Sequence, residues 1–137
     1  MGNYNNFNQN YNSSNQIASK CKKEWITVEA DKEMISFAEE AGKYMKENSL
    51  TTSQIRNIYG EIKRIQMNTY EKKKSDFFLL KPKVAYALGR NKDNKGLQLF
   101  KDIFDRLSPF VSDEKSYHNF CNLMEAILAY HKANGGK

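Results

Sequence analysis

The chain contains 137 residues, of which 39% are hydrophobic, and it carries a net charge of +6 at pH 7. This length suits a single domain, and the sequence has no apolar run of about 18 residues that could span a membrane. Residues 1–16 are uncharged and rich in Asn, and they lack the basic start and apolar core of a signal peptide. We therefore expect a cytoplasmic protein with a disordered tail at residues 1–24 and one folded domain at residues 25–137.

Hydrophobic periodicity predicts two helices in the first half of that domain. Before them, only residues 25–28 (Trp-Ile-Thr-Val) suit a short extended segment. Apolar residues recur at three- and four-residue spacing over residues 31–46, which predicts an amphipathic helix. A second helix begins at Thr51, where Thr51-x-x-Gln54 has the spacing of a capping box, and a stripe of isoleucines continues it to Ile65.

Three further helices are predicted after a charged linker. Residues 71–76 (Glu-Lys-Lys-Lys-Ser-Asp) are too charged to pack and indicate a loop or a frayed helix end. Pro82 suits the first turn of a third helix, which Gly89 would end as a left-handed cap. A fourth helix follows Asn94, and a fifth begins near Asp113. Short linkers favour antiparallel neighbours, so the sequence predicts an all-α fold, a compact bundle of about five helices.

No combination of residues in the sequence predicts a catalytic or metal site. His118 and His131 lie thirteen residues apart on one predicted helix, which is more than three turns, so they cannot share a metal ion. Cys21 and Cys121 have no suitably spaced His or Cys and suit free thiols in a reducing compartment. No glycine-rich phosphate loop is present. We therefore expect no catalytic residue, no metal and no cofactor, and an enzyme is the least favoured class.

The positive charge is concentrated in the middle of the chain. Between Thr51 and Lys95 the sequence has eleven basic and four acidic residues, a net charge of +7 that exceeds the excess of the whole chain. Such a local excess is typical of a protein that binds a polyanion. A solvated, solubilising surface would show the same composition, so the count leaves both interpretations open.

The spacing of the basic residues favours contact with phosphates. Arg56 and Lys63 share one face of the second helix, two turns and about 10 Å apart, and Arg64 lies 80° further round at 100° per residue. Arginine can bind phosphate oxygens with two parallel hydrogen bonds, whereas lysine acts as a point charge. In the next helix Tyr86 suits a core position better than a stacking platform. The candidate RNA contacts from this spacing are Arg56, Lys63, Arg64, Lys81, Lys83 and Arg90.

Two runs of sequence resemble a known family. Residues 50–59 (Leu-Thr-Thr-Ser-Gln-Ile-Arg-Asn-Ile-Tyr), followed by residues 79–90 (Leu-Leu-Lys-Pro-Lys-Val-Ala-Tyr-Ala-Leu-Gly-Arg), resemble the small subunit of type III-A CRISPR effector complexes, the Csm complexes. The similarity extends over residues 30–130 and is sharpest between residues 50 and 90. The matching positions that would touch RNA are Gln54, Arg56, Lys63, Lys83 and Arg90, with Lys81 as a further candidate.

The resemblance implies a non-catalytic helical subunit whose partners are RNA and protein. Copies would stack as an inner filament beside the other Csm subunits and would contact the phosphates of target RNA and of the guide–target RNA duplex. The aromatic pairs Phe77-Phe78 and Tyr117-Phe120 are candidates for contacts between copies, although most of these side chains suit the core. The alternative is a protein–protein adaptor whose basic face is merely solvated.

Overall fold

The computed structural model describes residues 14–137, and the part of the predicted tail at residues 1–13 lies outside them. Within residues 14–137 every regular element is helical and no strand is present, which confirms the all-α fold. The elements in chain order are α1 (residues 14–18), α2 (Glu24–Thr27), α3 (Lys32–Glu47), α4 (Thr52–Gln66), α5 (Tyr70–Phe78), α6 (Leu80–Arg90), α7 (Lys95–Leu107), a 3-10 turn (Ser108–Phe110) and α8 (Glu114–Ala133).

Side-chain caps fix the start of the long helices. The carboxylate of Asp31 accepts a hydrogen bond from the backbone N–H of Met34 at 2.8 Å before α3, and Asn94 serves Leu97 in the same way before α7. These bonds satisfy N–H groups that have no partner inside the helix. The caps therefore place α3 and α7 where the sequence predicts them.

Residues 71–76 form most of α5, so the loop or frayed helix end predicted there is wrong. Tyr70 and Phe77 are both only 3% exposed, and their seven-residue spacing places them on one side of a helix. The hydroxyl of Thr69 caps the helix by accepting from Lys72 N at 3.4 Å, and the carboxylate of Glu114 accepts from Tyr70 N at 2.6 Å. Two buried aromatic residues and two hydrogen bonds therefore hold a helix whose other side chains are mostly charged.

Two other local predictions are also wrong. Residues 25–28 are not extended, because Glu24–Thr27 forms a helical turn in which Thr27 N donates to Lys23 O at 2.9 Å. Gly89 does not end α6, because the helix continues to Arg90, and the side-chain amide of Asn91 donates to Ala87 O at 2.9 Å. Asn91 thus satisfies a carbonyl at the end of the helix without a left-handed glycine.

The hydrophobic core begins earlier in the chain than the sequence indicates. Ile17 and Ala18, within the predicted tail, are 7% and 0% exposed and pack into the same core as the later helices. Trp25 and Ile26 in α2 are also buried there. The packed part of the chain therefore includes residues before position 25.

Aromatic side chains fill the core between α5, α7 and α8. The ring of Phe77 lies 5.3 Å from that of Tyr117, 5.5 Å from that of Phe120 and 6.3 Å from that of Phe104, measured between centroids. The buried hydroxyl of Tyr117 donates to Ile62 O in α4 at 2.8 Å. Of the aromatic residues considered for contacts between copies, Phe78 alone is exposed, at 59%.

The pairing of α3 with α8 is the most extensive between helices, and it depends on Gly42. A Cβ atom at this position would lie 2.6 Å from Ile127 O, 2.7 Å from His131 N and 2.8 Å from the Cβ of Tyr130. Only a residue without a side chain allows the two backbones to approach this closely. Gly42 thus sets the distance between the two longest helices of the described chain.

Candidate nucleic-acid interface

The outer side of α4 carries basic residues and its inner side carries isoleucines. Ile55, Ile58, Ile62 and Ile65 are at most 3% exposed, whereas Arg56 and Arg64 are exposed and Lys63 is half-buried. The capping box at Thr51 and Gln54 starts this helix, with Thr51 N donating to Gln54 Oε1 at 2.8 Å. The structure confirms the predicted helix, and its three basic side chains lie outside the isoleucine core.

A groove of about 530 Å³ runs between α4 and α8 and has Arg56 on its wall. Lys132 of α8 lines the same groove. Lys63 forms an ion pair with Glu125 of α8, and its ammonium lies 5.7 Å from the centroid of the Tyr59 ring. Lys63 therefore already has a partner, while Arg56 lies on an open, mostly apolar groove.

A larger groove of about 980 Å³ runs between α4 and α6. Gln54, Lys83 and Arg90, which the sequence places on two separate helices, all line this groove, and so does Glu61. The guanidinium of Arg64 donates to Glu61 at 2.7 Å, and the Lys83 ammonium lies 3.9 Å from the same carboxylate oxygen. The hydrogen bond from Arg64 lowers the pKa of Glu61, so this carboxylate stays ionised between two cations.

Gln54 lies in the wall of the groove between α4 and α6, where hydrogen bonds hold its side chain. Its amide oxygen accepts from Thr51 N at 2.8 Å and from the side chain of Asn94 at 3.2 Å, while its nitrogen lies 3.5 Å from the Asn91 side chain. Two acceptor positions of this oxygen are therefore occupied. These bonds join the start of α4 to the segment between α6 and α7, and they engage both the oxygen and the nitrogen of the Gln54 amide.

Lys81 lies apart from the groove. It stands two residues before Lys83 in α6, which is 200° around the helix axis, and it does not line either groove. Within residues 14–137, no carboxylate pairs with Arg56, Lys81 or Arg90. These three cations are thus free to meet an external anion.

The sequence analysis did not predict the exposed aromatic side chain in the groove between α4 and α6. Tyr86 was expected in the core but is 68% exposed, because it lies 200° around α6 from the buried Val84. The Arg90 guanidinium lies 5.9 Å from the centroid of its ring. A wheel drawn on Val84 would have revealed this exposure, whereas nothing in the sequence points to Lys132 or Glu125 as neighbours of α4.

The histidines and cysteines do not form a reactive site. Burial raises the pKa of the Cys121 thiol to about 11 and that of Cys21 to about 12, and both thiols are free. His131 is buried with Nε2 2.7 Å from Leu50 O, and His118 is exposed on α8. Among the described residues, no three His, Cys, Asp or Glu side chains are close enough to hold a metal ion.

No helix within residues 14–137 has the length and apolar character needed to cross a membrane. The fold and the charge define a small, basic, all-helical bundle with two grooves flanking one helix.

Comparisons with known proteins assign this bundle to a family. A sequence model of the family described as "Csm2 Type III-A" matches residues 28–137. The chain is 33% identical over 92 residues to the "CRISPR system Cms protein Csm2" of Streptococcus thermophilus. The aligned region covers 64% of this chain and 75% of that protein. No solved structure matches. The chain therefore belongs to the Csm2 Type III-A family, the small subunit of the type III-A Csm complex, and the resemblance found in its sequence is confirmed.

Proposed function

We propose that this small subunit has no catalytic role and binds the phosphate backbone of target RNA and of the guide–target duplex. The observation that carries the proposal is the gathering of cations on the outer side of α4 and along its two grooves, where Arg56 and Arg90 have no carboxylate partner within residues 14–137. Local positive charge of this kind attracts nucleic acid and adds a salt-dependent free energy of binding. Membership of the Csm2 family supports a place for the chain in an RNA-guided complex.

Backbone contact suits a subunit that must accept targets of any sequence. The major groove of an A-form duplex is too deep and narrow for side chains to read its base edges, and such duplexes are recognised mostly by their shape and by contacts with phosphates and 2′-hydroxyls. Base pairing with a guide RNA supplies the sequence specificity in such complexes. Arg56 and Arg64 are both exposed on the outer side of α4, 80° apart around its axis, so they can contact a backbone without reading bases.

The proposal includes stacking of copies along the complex. Phe78 and Leu79, at the junction of α5 and α6, are 59% and 55% exposed. Two adjacent apolar side chains at this junction are suited to contact with another subunit. A head-to-tail contact between copies generates a filament. On an RNA long enough for several copies, we expect cooperative binding that Leu79→Ser removes, and independent binding by the unmodified chain would contradict stacking.

Fluorescence anisotropy with labelled RNAs of unrelated sequence tests the backbone contact. We expect affinity to fall steeply with salt, with log affinity losing about 0.7–0.9 per neutralised phosphate for each tenfold rise in salt. Arg56→Ala should weaken all sequences alike and reduce that slope by the contribution of about one phosphate. Glu61→Gln should strengthen binding, because it releases Arg64 and Lys83.

Arg106→Ala is the matched control for Arg56→Ala. Arg106 is an exposed arginine of α7 that lines neither groove, so its loss removes the same charge and should leave the slope unchanged. Equal effects of the two substitutions would mean that only net charge matters. RNA binding that is weak, generic and unaffected by Arg56→Ala would favour the alternative function, a protein–protein adaptor. A pull-down without RNA tests that alternative, which predicts a saturable protein partner.

A further inference from the structure

We propose that the groove between α4 and α6 holds one unpaired RNA base stacked on Tyr86. This inference rests on the proposed RNA-binding function and adds to it a site for a base, whereas the cations on α4 contact only the backbone. The base would be recognised by its flat aromatic face and not by its identity. The site would therefore distinguish an unpaired nucleotide from a paired one.

Tyr86 has the exposure that a stacking platform needs. The other tyrosines within residues 14–137 are buried or half-buried, whereas Tyr86 is 68% exposed on the wall of the groove between α4 and α6. Its aromatic neighbours in the sequence lie in the core or at the α5–α6 junction, so no ring within residues 14–137 stacks on it. An exposed ring is an energetically useful partner for a base, because every base offers a π face.

Arg90 supplies the charge that a nucleotide needs beside its base. Its guanidinium lies 5.9 Å from the centroid of the Tyr86 ring, within cation–π distance, and one helical turn further along α6. From this place it can hold the phosphate of the stacked nucleotide with two parallel hydrogen bonds. Lys83, one turn before Tyr86 on the same wall, is a second cation near the adjoining phosphate, although its ammonium also lies 3.9 Å from the Glu61 carboxylate.

The opposite wall offers hydrogen bonds to the edge of the base. Asn57 of α4 is exposed and lines the groove, and its side-chain amide presents both a donor and an acceptor. Gln54 and Asn91 are bonded within the protein, so they shape the wall without competing for the ligand. A single amide that both donates and accepts can pair with any base, which fits a site without sequence preference.

The test compares three RNA duplexes that differ at one position. The first duplex is fully paired, the second has one unpaired uridine, and the third has an abasic nucleotide in place of that uridine. We expect the full chain to bind the second duplex about five-fold or more tighter than the first and third, since stacking on an aromatic side chain favours the unpaired base by at least this factor. Anisotropy at one fixed salt concentration measures all three affinities.

Substitutions at Tyr86 assign the preference to the ring. Tyr86→Phe should keep the preference for the unpaired uridine, whereas Tyr86→Leu should abolish it. Tyr86 is exposed, so neither change disturbs the core, and circular dichroism checks the fold of both variants.

Equal affinities of the unmodified chain for all three duplexes would overturn the base site and leave the backbone contact standing. A preference that survives in Tyr86→Leu would also overturn it. Failure of the chain to bind any RNA would overturn the proposed function and the base site together. The two failures are therefore distinguishable in one series of titrations.

Discussion

Gly42 lies where α3 crosses α8, and replacing it with alanine should destabilise the fold. The added Cβ would lie 2.6 Å from Ile127 O and 2.7 Å from His131 N, where ordinary contact begins near 3.4 Å. The two helices would have to separate by several tenths of an ångström, because backbone atoms cannot rotate away as side chains do. Overpacking of this kind lowers the free energy of unfolding by about 1–3 kcal/mol. The better helix propensity of alanine offsets about 1 kcal/mol of that loss.

The difference between these two effects is about 0–2 kcal/mol, and we expect a net loss in the upper half of that range because two backbone atoms obstruct the new methyl group. Urea unfolding followed by circular dichroism measures the free energy of unfolding of both proteins. A Gly42→Ala variant within about 0.5 kcal/mol of the unmodified chain would refute the reasoning, because it would mean that the helices separate freely.

Gly60→Ala provides the control with the same chemical change. Gly60 lies in the interior of α4, and nothing within 4 Å would meet its Cβ. Only the helix propensity then changes, so this variant should gain about 0.5–1 kcal/mol. If Gly42→Ala lowers the free energy of unfolding and Gly60→Ala raises it, the effect of contact between helices is separated from that of helix propensity.

Two further predictions concern hydrogen bonds at α8. Tyr117→Phe removes the bond from the buried hydroxyl to Ile62 O and should lower the free energy of unfolding by about 1 kcal/mol, measured in urea; an unchanged value would mean that the bond is not formed in solution. The backbone N–H and hydroxyl of Ser116 donate to Asp113 and lower its pKa. The stability that Asp113 adds is therefore complete above the ordinary aspartate pKa of about 3.9 and is lost as the pH falls through the lower folded value. The difference in stability between the unmodified chain and Asp113→Ala should shrink in acid, and a difference that stays constant with pH would contradict this reasoning.

The sequence predicts the long helices because their signals are local. The isoleucine stripe and the capping box of α4 lie within sixteen residues of each other, from Thr51 to Gln66, and both depend only on helix geometry. The same holds for α7, where Asn94 caps a strongly amphipathic segment. Patterns of this kind need no knowledge of the tertiary structure.

The missed features depend on contacts between distant segments. Helix α5 has only Tyr70 and Phe77 buried, and the aromatic residues that cover them come from α7 and α8. The ion pair of Lys63 with Glu125 joins residues on different helices, so no spacing rule on α4 could indicate that this cation is engaged. The convergence of Lys83 and Arg90 with α4 likewise follows from packing, which places α6 beside α4.

The division of α4 into a buried side and a charged side affects which substitutions this protein can accept during evolution. The isoleucines keep the helix in place, while Arg56, Asn57 and Arg64 are exposed. Exposed positions such as these usually change stability by less than about 0.5 kcal/mol when substituted. Mutation can therefore alter the charge and shape of this exposed side one residue at a time, without a compensating change in the core.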